Sequence, residues 1–132
     1  MTEKDMLNLA DEIMQNPLWI QKRIGETKYI FAHARTSHPL KQEQPDDFYL
    51  MGDLDLGQFF IDGIEGYIPV CGHTPTSNVS IFEGRYLDEE DHSIWVNDKE
   101  NVILMDCGAG FKSGKLACMC LETGERFYSS YM

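Results

Sequence analysis

Two histidines in this chain sit where a side chain can do chemistry. His33 closes the apolar run Tyr29-Ile30-Phe31-Ala32, and His73 follows Ile68-Pro69-Val70-Cys71-Gly72. Each run reads as a strand, so each imidazole falls where a strand gives way to a loop. There it is held by the strand and open to solvent, which suits a metal ligand or an acid–base group. Two neutral imidazoles from separate strand ends suit a borderline divalent metal. Taken singly, either histidine is more commonly a loop or core residue. Gly72, just before His73, would let the backbone turn sharply or approach a ligand. Arg35, two residues beyond His33, would bring a guanidinium near the same place, or else be an exposed loop arginine.

The elements that must position these groups follow from patterning. Thr2 to Gln15 predicts a helix: Thr2 caps it, Glu3, Lys4 and Asp5 fill its first turn, and Met6, Ala10, Ile13 and Met14 recur at helical spacing. Asn16-Pro17 stops it. Leu18–Ile24 and Lys28–Ala32 predict strands joined across Gly25-Glu26-Thr27. Thr36–Pro45 is a loop. Short helices are expected from Pro45-Asp46-Asp47 and over Leu54–Ile61, and a strand over Tyr67–Cys71. Beyond Gly72-His73-Thr74-Pro75-Thr76 the chain is β-rich. Strands are expected at Val79–Phe82, Ile94–Val96, Asn101–Met105, Leu116–Leu121 and Arg126–Tyr131, with a hairpin turn at Glu122-Thr123-Gly124. The acidic run Asp88–Asp91 reads as a solvated loop. The class is α+β, helices early and strands late, with no repeat, linker or low-complexity tract.

Composition narrows the function. The 132 residues fit one domain or part of one, and 42% hydrophobic content is enough for a core. Lys and Arg total 11 against 22 Asp and Glu, a net charge of −11. That surface repels nucleic acid and anionic lipid. Neither a signal peptide nor a membrane-spanning run is visible, so a cytoplasmic location with reduced thiols is the expectation. Cys118 and Cys120 lie two apart, as C-x-C, and on a strand would simply share a face.

Four segments in order carry a resemblance. Gly72-His73-Thr74-Pro75-Thr76 matches the GHTPT motif of bacterial serine/threonine-type, calcineurin-like metallophosphoesterases. Tyr29–Ala34 resembles their strand ending in VHAG. Asn101–Phe111 resembles their IDTGAGF segment. Gly114–Cys118 and Thr123–Tyr128 resemble their closing β-hairpin. The resemblance spans about Asp11 to Tyr128. It implies the C-terminal half of a four-layer α/β/β/α sandwich, a single partial domain over 1–132. It also implies two divalent metals (Mn, Fe or Zn) in the complete enzyme, with His33 and His73 as ligands of the second. The substrate would be a phosphoprotein or a small phosphoester. Asp106 would be a hydrogen-bonding partner for a ligand histidine, or a turn-capping Asp.

The same resemblance marks what this sequence lacks. The family's GDxHG, GDxxDRG and GNHE motifs supply the first metal's ligands, the bridging Asp, an Asn ligand and the general-acid His. None of them precedes His33, which has only 32 residues before it. Gly52-Asp53-Leu54-Asp55-Leu56-Gly57 mimics GDxHG with Asp55 in place of its His; it reads as a turn leading into a helix. The family's phosphate-gripping arginine aligns with Gly52; Arg35, which replaces the glycine of VHAG, would bind phosphate in its stead or be an exposed loop arginine. Two readings remain open: a phosphatase half that pairs with a complementary half, or a degenerate binding module. Either should leave an apolar face uncovered and favour self-association, with Phe59, Phe60, Tyr67 and Trp95 as candidates for that face or for ordinary core.

Overall fold

The computed structural model describes residues 1–88 and 91–130. It is α+β. A helix α1 (Glu3–Met14) precedes a hairpin of β1 (Trp19–Ile24) and β2 (Thr27–Ala32). Two short helices, α2 (Asp46–Leu50) and α3 (Leu56–Asp62), lead to β3 (Ile68–Cys71), and a 3-10 turn (Thr76–Asn78) leads to β4 (Gly84–Tyr86). The chain then forms β5 (Trp95–Asn97), β6 (Ile103–Leu104), β7 (Ala117–Met119) and β8 (Arg126–Tyr128). Six strands make one mixed sheet in the order β1-β2-β3-β6-β5-β4, and β7 and β8 form a separate two-stranded hairpin. At its centre β2, β3 and β6 run parallel, with Ala32 beside Cys71 and Cys71 beside Leu104. This register aligns the carboxyl ends of three strands.

Alternation along these strands builds two apolar layers. Ile30, Cys71, Trp95, Val102 and Leu104 pack on one face with Phe59 and Phe60 of α3. Ile94, Val96, Ile103 and Cys107 line the other, against Met119 and Tyr128 of the β7–β8 hairpin. Each buried phenylalanine contributes about 2–3 kcal/mol of transfer free energy. Phe59, Phe60 and Trp95 are therefore core, and Tyr67 is half-buried beneath His38 and Lys28. The uncovered apolar surface lies elsewhere. An open cleft of about 880 Å³ is lined by exposed Ile20 and half-buried Phe31, Val70 and Met105, with Ile13, Met14 and Leu18 beside them. α1 itself, closed by a Thr2–Asp5 capping box, has no buried residue.

One expected strand is not formed. Val79–Phe82 makes consecutive tight turns, closed by Val79 N donating to Thr76 O and Phe82 N to Val79 O. Val79 is fully buried as a plug in the first layer, while Ile81 is 82% exposed. The β-branched composition suits that plug as well as a strand, and strand formation waits for Gly84. There a Cβ would lie 2.4 Å from the Trp95 indole, so only glycine lets β4 pair with β5. The acidic run reaches into Glu89 and Glu90, and the last expected strand into Tyr131; these three lie outside the described residues.

The β7–β8 hairpin is tied down by charge as well as packing. Arg126 donates from Nε to Asp88 Oδ2 at 2.9 Å and from Nη2 to the Leu87 carbonyl at 3.2 Å. The Tyr128 hydroxyl donates to the same carboxylate. The Arg126 hydrogen bond, with that of Tyr128, holds the Asp88 carboxyl below its ordinary value. Burial pushes the Tyr128 phenol up to about 12, which keeps it a donor. A depressed carboxyl stabilises the fold above its unfolded value and stops doing so as pH falls through the folded one. The hairpin is therefore expected to loosen below about pH 4. Amide exchange of Cys118 and Phe127 against pH should show acid-induced loss of protection that Asp88→Asn removes by pre-empting it; identical profiles in both proteins would refute the linkage.

Candidate functional site

Both histidines leave the sheet at neighbouring strand ends. His33 follows Ala32, and His73 lies two residues past Cys71, the register partner of Ala32. Gly72 N donates to the His33 carbonyl at 2.8 Å and joins the two loops. The rings meet: His33 Nε2 lies 3.1 Å from His73 Nδ1, with the ring planes 71° apart. One nitrogen donates and the other accepts, so the accepting nitrogen carries no proton.

The backbone at His73 departs from the expectation for Gly72. The left-handed φ, 65°, falls on His73 itself, and Gly72 is not among the residues with positive φ. Thr74 N donates to the Gly72 carbonyl at 2.7 Å, a three-residue γ-turn centred on His73. A side chain on this kind of turn is strained by about 1–3 kcal/mol, and such strain concentrates at functional sites. The turn swings the ring back across the end of β3 toward His33.

Asp106 lies two residues past the end of β6, the third parallel strand. Its carbonyl accepts from Thr76 N at 2.7 Å and its Oδ1 accepts from Gly108 N at 3.0 Å. The turn-capping role is the one its bonds realise, and it anchors the loop that carries His73. Among the described residues, no hydrogen bond joins Asp106 to either imidazole.

Arg35 is neither exposed nor directed at the pair. Its side chain is 13% exposed and its guanidinium lies between the rings of Phe48, 4.2 Å away, and Phe59, 5.1 Å away. It is ion-paired with Asp53. It lines a separate cavity of about 460 Å³ with Thr36, Gln58 and Asp62, whereas His33 and Gly72 line the apolar cleft with Asp46. To grip a phosphate beside His33, Arg35 would have to leave Asp53 and both rings.

Asp53, which imitates a metal motif in sequence, sits in a turn leading into α3. Gly52 has φ 77°, and Asp53 Oδ1 accepts from Asp55 N at 3.1 Å at the start of α3. A thiol nucleophile does not fit the site either. Cys71 is buried beneath the strand ends, and burial pushes its thiol up to about 12, leaving almost no thiolate at neutral pH.

Comparison of the chain with protein-family models, with curated proteins and with solved structures gives no match. The donor set therefore has to be judged on its own geometry. Two nitrogens about 2.0–2.1 Å from one ion, at octahedral to tetrahedral angles, stand roughly 2.8–3.4 Å apart. The observed 3.1 Å lies within that span. A complete centre does not fit: among the described residues no group of three or more His, Cys, Asp or Glu side chains is placed to hold an ion. The geometry is two imidazoles in ring-to-ring contact, at a spacing that two nitrogens on one ion would also have. Sequence reading placed both histidines at strand ends but not the strained turn, because nothing in Gly-His-Thr says which residue takes the positive φ.

Proposed function

We propose that His33 and His73 form a two-imidazole half-site for a divalent metal, contributed to a phosphoester-hydrolysing centre of the metallophosphoesterase kind. The sheet would be one half of that family's sandwich. The observation that carries this reading is the 3.1 Å approach of the two ring nitrogens at adjacent parallel-strand ends. A bound metal would polarise a phosphoryl oxygen and acidify a bound water. This chain's part is to hold two neutral nitrogens at the spacing an ion needs and to keep Cys71 out of the chemistry. The substrate class is a phosphoprotein or small phosphoester.

With no third ligand beside the pair among the described residues, the chain alone is expected to be inactive. The apolar cleft next to His33 supports a requirement for a covering partner, either a complementary half or another copy. A second reading, a binding module without catalysis, draws on the same missing ligands.

Cobalt tests the half-site, because its visible absorption reports imidazole ligation directly. The wild-type chain should bind Co²⁺ at one site, and His33→Ala or His73→Ala should each abolish it. In parallel, hydrolysis of p-nitrophenyl phosphate with manganese should stay at background. No Co²⁺ signal from the wild type would sink the half-site. Manganese-dependent turnover that disappears in His73→Ala would overturn the claim of inactivity.

A further inference from the structure

The residues around His33 are fixed from one side by an arrangement the half-site does not explain. Arg35 lies two positions on, mostly buried in a chain with only 11 basic residues. Its guanidinium fills the gap between Phe48 of α2 and Phe59 of α3 and pairs with Asp53. Asp53 in turn receives the Asp55 amide where α3 begins. Between His33 and Arg35, Ala34 is fully buried and donates its N–H to the Tyr49 carbonyl of α2 at 2.8 Å. From the other side, Gly72 N holds the His33 carbonyl. His33 is the exposed residue between two anchored neighbours.

The geometry points to Arg35 and Asp53 as positioning residues, a clamp that locks the His33–Arg35 segment onto α2 and α3 and so sets the His33 ring against His73. This rests on the half-site reading for its use but not for its test. A buried guanidinium stacked between two rings and paired with one carboxylate is held at several points at once, so the short segment behind it has little freedom. His33 is two residues from Arg35 and its ring contact is 3.1 Å, so a backbone shift of a few tenths of an ångström at the clamp would take the ring nitrogen out of hydrogen-bond range. Without the clamp, the two imidazoles would still be present but not held at the spacing an ion requires.

The test uses the full chain with Arg35→Ala, Arg35→Lys and Asp53→Asn. Two readouts are taken: the ring ¹⁵N shifts of His33 and His73, and the Co²⁺ dissociation constant. Arg35→Ala should remain folded by circular dichroism, lose the hydrogen-bonded shift of the ring pair, and weaken Co²⁺ roughly 10-fold or more. Arg35→Lys keeps the charge but not the planar stack and should fall between. Asp53→Asn removes only the ion pair and should move both readouts in the same direction, which keeps the test alive if Arg35→Ala fails to fold. Wild-type ring shifts in a folded Arg35→Ala or in Asp53→Asn would overturn the clamp. So would a loss of inorganic phosphate binding in Arg35→Ala with ring shifts unchanged, which would make Arg35 an anion ligand instead. If the wild type binds no Co²⁺, the half-site reading fails and the ring shifts still decide the clamp.

Discussion

Asn97→Ala is expected to cost about 3–5 kcal/mol of unfolding free energy, a large share of what a domain this size has. Asn97 is 1% exposed and its side chain has five partners, two of its three acceptors sharing one N–H. Its amide nitrogen reaches the carbonyls of Phe60 and Ile61 at 3.0 and 3.2 Å and Asn101 Oδ1 at 2.7 Å. Its oxygen accepts from the amides of Asn101 and Val102 at 2.8 and 3.0 Å. Phe60 and Ile61 belong to the last turn of α3, whose carbonyls have no partner within the helix. Asn97, with Asn101 donating to the Asp62 carbonyl at 3.0 Å, is the cap of that helix supplied from a distant strand. Truncation strands a buried helix carbonyl and the buried Val102 amide together, and each such group costs about 1–3 kcal/mol. Asn101→Ala, nearer solvent, should cost only about 1 kcal/mol. Urea unfolding of both variants checks the contrast; an Asn97→Ala loss below that of Asn101→Ala would show that the hub is not what holds α3. Because α3 carries Phe59, which stacks on Arg35, loosening it should also reach the His33 segment.

That hub shows where sequence reading stops. Strand and helix existence was legible wherever periodicity and punctuation agreed: the Gly25-Glu26 turn, the Thr2 cap with Asp5, and the runs ending at Ala32 and Cys71. His33 and His73 were legible for the same reason, since each follows an apolar run whose end is marked by a change of residue type. Asn97 reads in sequence as one more polar turn residue before Asp98, because its partners lie 36 and 37 positions away in α3. Arg35 reads as a loop arginine, because burial between Phe48 and Phe59 depends on how α2 and α3 return to the sheet. Val79–Phe82 has strand composition but no ladder partner, and composition cannot supply one. In each case local chemistry named the residue type correctly, and non-local packing decided what the residue does.

His73 allows strain and function to be separated by two substitutions at one position. His73→Gly and His73→Ala both remove the imidazole, so both should lose Co²⁺ binding. They differ in the backbone, because a Cβ at φ 65° meets the carbonyl-side crowding that glycine escapes. His73→Gly should therefore unfold at about 1 kcal/mol higher free energy than His73→Ala, after the extra chain entropy that glycine loses on folding. Equal stabilities would mean that the γ-turn relaxes in the variants and that the strain is not imposed by its surroundings. The wild type adds the third comparison. An ion that binds only the folded chain stabilises it in proportion to the logarithm of its concentration over its dissociation constant. Saturating Co²⁺ should raise the melting midpoint of the wild type and leave both variants unmoved. Glycine at this position then gives the more relaxed fold without the site, and histidine gives the site at the cost of the turn. A histidine in a left-handed turn is accounted for if the 3.1 Å ring contact with His33, or an ion in its place, is what the loop is built to present.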